Sequence, residues 1–298
     1  MTTPSFKKTD FEVVSLKRNP TSPRTLFGLI MSGIAGLFTL MAIVPLFIIL
    51  TYLLTRGISA LSASVFTELP PPPLVEGGGF GNAILGTVIM VGIGALISVP
   101  LGIMAAIYLS EFQEGKASDW IRFATNVLSG VPSIIVGVFA YSAVVLTTKS
   151  YSAWAGGFAL SILMLPIIVR TTDESLKLVP QDVRQASVGV GANRYQTVLQ
   201  VVLPAALPAI ITGITLAISR AAGETAPLLF TALFTQFWPN WNNLLVEPTA
   251  SLAVLVYNFA IVPFKNQQEL AWGAAFILVL LVLVTSIISR LATAKRTY

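Results

Sequence analysis

Apolar and polar positions fall along this chain in long blocks, not at the short periods of half-buried strands or amphipathic helices. Seven stretches of 20 residues or more carry no charged residue: 25–55, 77–110, 123–148, 150–169, 195–219, 225–246 and 270–289. A bilayer-spanning helix needs about 20 apolar residues at about 1.5 Å each, and most of these blocks meet that length. Turn chemistry reduces seven blocks to six spans. Glu247 alone cannot turn the chain between its flanking runs, and 220–224 makes a poor loop within an otherwise apolar segment. Residues 204–234 therefore read as one long helix. The segment 248–264 is short and edged by proline, which suits a surface or re-entrant segment better than a span. The expected spans lie near 26–55, 82–109, 122–147, 152–171, 205–234 and 269–291, in an all-α polytopic membrane protein. A tail, 1–25, precedes them; a loop, 56–81, separates the first span from a core, 82–291; and a second tail, 292–298, follows.

Composition supports this pattern. The 298 residues are 55% hydrophobic and 10% charged, against about a quarter charged in soluble domains. Mean hydropathy is +0.81. There is no cysteine and no histidine, which excludes disulfides, thiolate metal sites and imidazole chemistry. The 18 Lys and Arg exceed the 13 Asp and Glu, a balance also met in nucleic-acid binders. Here, however, the bases flank apolar spans. With the N-terminus inside, fourteen of them, from Lys7 to Arg296, are cytoplasmic, Arg56, Lys149 and Lys265 are outside, and Arg220 lies within a span. That asymmetry is the positive-inside bias, and both termini are expected in the cytoplasm.

The run from Leu26 is about three turns longer than a secretory h-region of 7–15 residues, and no small-x-small site follows at the right distance. It is expected to remain as the first span. The four prolines from Pro70 to Pro73 and the three glycines from Gly77 to Gly79 read as a stiff strut with a flexible joint, a plain connector or a spacer at a partner surface. Trp238, Trp241 and Trp272 suit an outer aromatic belt. Asp173, Glu174, Glu111 and Glu114 read as solvated loop acids. No Gly-x-x-x-x-Gly-Lys-Ser/Thr string occurs, so the chain has no P-loop for ATP.

Two features carry candidate chemistry. The first is the polar loop 173–203. Pro180 suits the first turn of a helix and Asp182 its positive end. Ala186, Ser187 and Gly189 leave room for another surface, and Gly191 breaks the helix. A second short helix is expected from Asn193, a good N-cap, to Leu203, with Pro204 marking re-entry into the membrane. Such a knob suits a groove on another protein; a merely solvated loop fits the composition equally. The second feature is Arg220 with Glu224, at i and i+4 on one helix face. An arginine at a helix centre costs about 2.5–3.5 kcal/mol on translocon scales and faces a bundle interior or wet cavity. It reads as an anion contact in a solute path, or as half of a structural pair.

The spacing of Gln185, Ala186, Ser187 and Gly191 with Leu203-Pro204 resembles the EAA loop of binding-protein-dependent ABC importer permeases, here 180–204. Gln185 and Ser187 depart from that motif's acid and alanine. Leu178-Val179-Pro180 before the loop, and the string from Arg220 through Glu224, Thr225, Ala226 and Pro227 to Phe230 after it, resemble the A-type permease family of phosphate-specific ABC importers. So do Pro100-Leu101-Gly102-Ile103 and the 132–137 segment. The resemblance covers roughly 80–291. It implies a type I ABC importer permease fold, with a substrate path at Arg220, Glu224 and Thr225. It also implies a coupling loop at Gln185, Ala186, Ser187, Gly191, Leu203 and Pro204 that docks on an ATPase. The implied partners are a C-type permease subunit, two copies of a cytoplasmic ABC ATPase that uses ATP and magnesium, and an extracytoplasmic phosphate-binding protein. The chain itself would be no enzyme and hold no cofactor. A permease for another oxyanion, a gradient-driven anion carrier and an added role in reporting phosphate supply remain open alternatives.

Overall fold

The computed structural model describes residues 22–112, 115–243 and 246–294, with side chains up to 291. The tail 1–25 therefore lies mostly outside the described residues, as do Glu114 and residues 295–298 of the second tail. Every regular element among the described residues is helical. In chain order they are α1 (Pro23–Ser59), α2 (Ser64–Thr67), α3 (Gly81–Glu111), α4 (Lys116–Gly130), α5 (Ser133–Ala140) and α6 (Leu146–Thr148). Then follow α7 (Ala153–Lys177), α8 (Gln181–Gly189), α9 (Arg194–Thr197), α10 (Leu203–Ala222), α11 (Ala226–Thr231), α12 (Leu252–Ala260) and α13 (Lys265–Ala294). The chain divides into two compact units, 1–52 and 53–298. The described part of the first is most of α1, and the second holds the remaining elements.

Five helices are long and apolar enough to cross a bilayer among the described residues, and six spans result if one bent pair counts as a span. Three expectations about their shape are corrected. The 122–147 span is two arms, 116–130 and 133–148, meeting at 107°. Pro132 explains the break, because it has no N–H to give and forces Val131 into an extended conformation, ψ 128°. The 204–234 helix ends at Ala222, and Gly223 to Thr225 separate it from α11. Pro227, at the start of α11, can neither donate to the Gly223 carbonyl nor tolerate it four residues back. The 152–171 span runs on to Lys177, so Asp173 and Glu174 belong to its last turns and the polar loop begins only at Leu178.

The second loop helix also differs. Asn193 does cap α9, in a capping box with Gln196, but the helix does not stop at Leu203. It continues from Arg194 to Ala222 through a π-helical stretch, Val198–Val202. Pro204 lacks the N–H that the Gln200 carbonyl would otherwise receive, and the wider π turn absorbs that loss without breaking the axis. At about 1.5 Å per residue the 29-residue helix is about 43 Å long, well beyond a hydrocarbon core of about 30 Å. One end must therefore project from the membrane.

Packing in the second unit centres on α7, which lies along α3 and α10. Glycines set the approach, as expected where lipid is as apolar as the side chains and close van der Waals contact holds helices together. A Cβ on Gly157 would stand 2.5 Å from Ile93 Cγ2, and one on Gly213 2.2 Å from Thr171 Oγ1. Met90, Leu160, Met164 and Ile168 fill one core; Leu176, Val179, Val202 and Ile210 fill a second beneath the loop. The segment 248–264 forms α12, whose Leu252, Val254 and Leu255 are fully buried, so it is not a surface segment. Nine residues span about 14 Å, too short to cross a bilayer. Ser251 caps this helix, and Thr87 Oγ1 on α3 accepts the Leu252 amide at 2.8 Å.

Candidate functional site

Arg220 and Glu224 stand at the break between α10 and α11. Arg220 occupies the last turn of α10, where a cation complements the exposed carbonyls. Its carbonyl accepts the Gly223 amide at 3.2 Å, and the Glu224 amide returns to Ala221 at 3.2 Å. Glu224 is thus beyond the helix end and not on a shared helix face, yet the ion pair forms, with Arg220 Nε 3.5 Å from Glu224 Oε1. The two side chains differ in exposure: that of Glu224 is half-buried, at 16%, and that of Arg220 is open, at 61%. Thr225 precedes α11 and its carbonyl accepts the Leu228 and Leu229 amides, both at 3.1 Å. A cation, a shielded acid and the opposed ends of two helix segments are thereby gathered in six residues. Irregular backbone of this kind at membrane depth is tolerated where it is covered by protein or lines a wet cavity.

α5 fixes this break from the side. A Cβ on Gly137 would stand 2.7 Å from the Pro227 Cα, so the second arm of the elbow rests directly on the start of α11.

The loop residues form a separate group. Pro180 is the cap residue before α8 and not its first turn. Gln185 and Ala186 are exposed, as are Gly189 and Gly191; Ser187 is buried. Ser187 Oγ lies 3.0 Å from Thr197 Oγ1, which joins the two loop helices across the turn. Gly191 has φ +92°, a conformation that side-chain-bearing residues rarely adopt, and this is the reason for glycine at the break. Leu203 and Pro204 lie inside the continuous helix; Leu203 packs against the core of Leu176, Val202 and Ile210, and Pro204 is exposed. The knob shows apolar side chains outward, with Val188 58%, Val190 87% and Tyr195 68% exposed.

Two acids read from sequence as solvated are structural. The Asp173 side chain is 10% exposed and holds Lys177 Nζ at 2.6 Å and an Arg122 nitrogen at 3.4 Å. Arg122 also donates to the Leu109 carbonyl at 3.1 Å, so α4 is tied to both α3 and α7. These residues line a cavity of about 320 Å³ together with Asn126 and Arg170. The Glu111 carboxylate, at the end of α3, receives Arg184 of α8 on both oxygens. The Lys177–Asp173 pair was readable as an i, i+4 contact; partners 51 and 73 residues apart leave no local signal. Among the described residues Glu174 pairs with exposed Arg170 alone. No cluster of His, Cys, Asp and Glu able to hold a metal occurs among the described residues.

Residues 98–297 match the family described as binding-protein-dependent transport system inner membrane component. The chain belongs to this family. The permease is 42% identical over 263 residues to the phosphate transport system permease protein PstA of Haemophilus influenzae, covering 88% of this chain and 92% of that protein. It is 36% identical over 288 residues to PstA 1 of Mycobacterium tuberculosis, covering 92% and 93%. A bacterial alginate ABC transporter contains a chain of the same fold, with TM-score 0.58 and 12% identity over 91% of this permease and 96% of that chain. The inward-facing MetNI methionine ABC transporter contains another, with TM-score 0.56 and 19% identity over 73% and 94%. The permease is therefore an all-α, multi-pass membrane protein with the ABC transporter permease fold, and the EAA-like stretch lies wholly within the matched region.

Proposed function

We propose that this permease is the A-type subunit of an ATP-driven importer of inorganic phosphate. Relatives about 40% identical over most of their length carry the phosphate transport system name, which supports the substrate. One structural observation supports the path: the Arg220 side chain is 61% exposed on the single chain. Left against lipid it would cost several kcal/mol, so that face belongs against a second permease or a wet conduit. Arginine suits a phosphate oxyanion by its fixed charge and planar fork of donors, and Glu224 tempers the attraction so that the ion is released. Thr225 stands at the same break as a further polar contact.

The second permease is of the C type, and the path lies between the two. The 180–204 loop docks on the ATPase, two copies of which bind ATP and magnesium; the chain itself binds neither and catalyses nothing. An extracytoplasmic phosphate-binding protein delivers the ion at the opposite face, both termini and the loop are cytoplasmic, and nucleic acid plays no part. The test is co-purification of the tagged chain followed by reconstitution in proteoliposomes. A second permease and an ATPase should be recovered, and uptake of labelled phosphate should require both ATP and the binding protein. Uptake that follows an ion gradient without ATP would establish a carrier instead, and preferential uptake of another oxyanion would reassign the substrate.

A further inference from the structure

α8 is joined to α7 through only Leu178, Val179 and Pro180. A short connection of this kind is a swivel, and a knob pushed from outside would spend its displacement there. The structure bridges the swivel from both sides. Arg184 Nη2 donates to the Leu176 carbonyl at 2.7 Å, and Arg184 Nη1 meets both oxygens of Glu111 on α3. The two side chains are 15% and 9% exposed. Arg194, on the other loop helix, donates to the Glu111 carbonyl, and its guanidinium lies 4.7 Å over the Phe112 ring. The Phe112 ring in turn lies 5.3 Å from that of Tyr195. Both loop helices are therefore fastened to Glu111 at the end of α3, and α9 also to Phe112 beside it. That end is itself held in one body with α4 and α7, through Arg122 and the glycine contacts of α3 on α7.

An ion pair this deep is a poor device for stability alone. The cost of taking two charges out of water offsets most of their attraction, and an apolar pair would hold the same surfaces together. Arg184 does what an apolar side chain cannot: with one guanidinium nitrogen on the Glu111 carboxylate and another on the Leu176 carbonyl, it fixes direction as well as distance. We propose that Glu111 and Arg184 are positioning residues that brace the 180–204 loop against the α3–α4–α7 body, so that displacement of the loop moves the spans instead of being lost at Leu178–Pro180. This rests on the reading of the loop as the element that docks on the ATPase.

The experiment uses the reconstituted importer and reads phosphate moved per ATP hydrolysed. Glu111→Gln should leave the complex assembled and ATP hydrolysis near the unsubstituted level. The ratio should fall about fivefold or more, the scale on which energetic coupling between sites acts. Arg184→Lys, which keeps the charge and loses the fork, should fall between. A paired variant, Glu111→Cys with Arg184→Cys, decides the matter even if Glu111→Gln fails to assemble, since the chain has no cysteine of its own. Joined after assembly by a reversible bis-methanethiosulfonate, it should regain the ratio, and lose it on reduction of the same sample. A ratio unchanged in Glu111→Gln, or one that the cross-link does not restore, overturns the brace. If the unsubstituted complex moves no phosphate, the functional reading has failed. The brace is then judged by spin labels at Asp119→Cys and Gln181→Cys. Glu111→Gln should broaden their distance distribution, and an unchanged distribution refutes the brace.

Discussion

Arg220 carries its charge on a face that its own chain leaves open, while its partner Glu224 is shielded and held by a backbone that has already left the helix. A structural pair and a path contact therefore predict different variants. If Arg220 contacts phosphate, Arg220→Gln lowers uptake at least about tenfold, equal to about 1.4 kcal/mol, with the complex intact. Arg220→Lys then shows whether charge alone suffices. Glu224→Gln changes uptake without changing yield, since it frees Arg220 for the anion. In a purely structural pair, Arg220→Gln reduces yield, and the double variant Arg220→Gln with Glu224→Gln restores both yield and uptake. Uptake of labelled phosphate beside the recovered amount of complex separates these outcomes. The pair was legible in the sequence because its residues are four apart. Glu111 and Asp173 were misread as solvated, because a partner 73 or 51 positions distant leaves no mark on the residues beside it.

Among elements, glycine and proline decide more than hydropathy does. Gly191 holds φ +92° at the turn between the loop helices, where an L side chain is strained by about 1–2 kcal/mol. Gly191→Asp should lower both uptake and permease-stimulated ATP hydrolysis while insertion and pairing with the second permease persist; transport at the unsubstituted rate would show that the loop is not the docking element. Gly157 acts differently, by closeness. Its added Cβ would stand 2.5 Å from Ile93 Cγ2 and 2.6 Å from Ile93 Cβ, and branched Ile93 cannot swing clear as a flexible chain tip could. Gly157→Leu should therefore separate α3 from α7 and destabilise the fold by about 1–3 kcal/mol, read as a lower unfolding midpoint in detergent. An unchanged midpoint would mean that the two helices do not depend on this contact. Pro132 and Pro227 were legible as residues that kink or interrupt helices, but so were Pro45, Pro100 and Pro166, which lie inside helices that continue past them. Membrane helices often carry proline without parting, and the outcome depends on whether neighbours take up the freed carbonyl.

For the whole molecule, the proposed orientation rests on fourteen basic residues against three, and single cysteines test it because the chain has none. Gln181→Cys should resist an impermeant thiol reagent in intact cells and react once the membrane is opened. Leu74→Cys, 81% exposed in the 56–81 loop, should react from outside. The reverse pattern would invert the topology and remove the docking reading with it. At this scale the Arg122–Asp173, Arg184–Glu111 and Arg194–Glu111 links gather the ends of α3, α4 and α7 beneath the loop, and the Gly137–Pro227 contact carries the far arm of the elbow to the Arg220 break.

The sequence by itself determined the all-helical membrane class, five of the six apolar spans as single helices, the glycine-broken loop, the Asn193 cap and the Arg220–Glu224 pair. Each follows from composition, block length or residues within one or two turns, where covalent geometry leaves few choices. Only the tertiary structure decided where helices end or bend, that α9 runs unbroken into α10, that α12 is buried, and which acids are paired. Those outcomes depend on whether a distant neighbour fills the space or supplies the donor that the local chain lacks, and proximity between residues 50 or more positions apart exists only after the helices have packed.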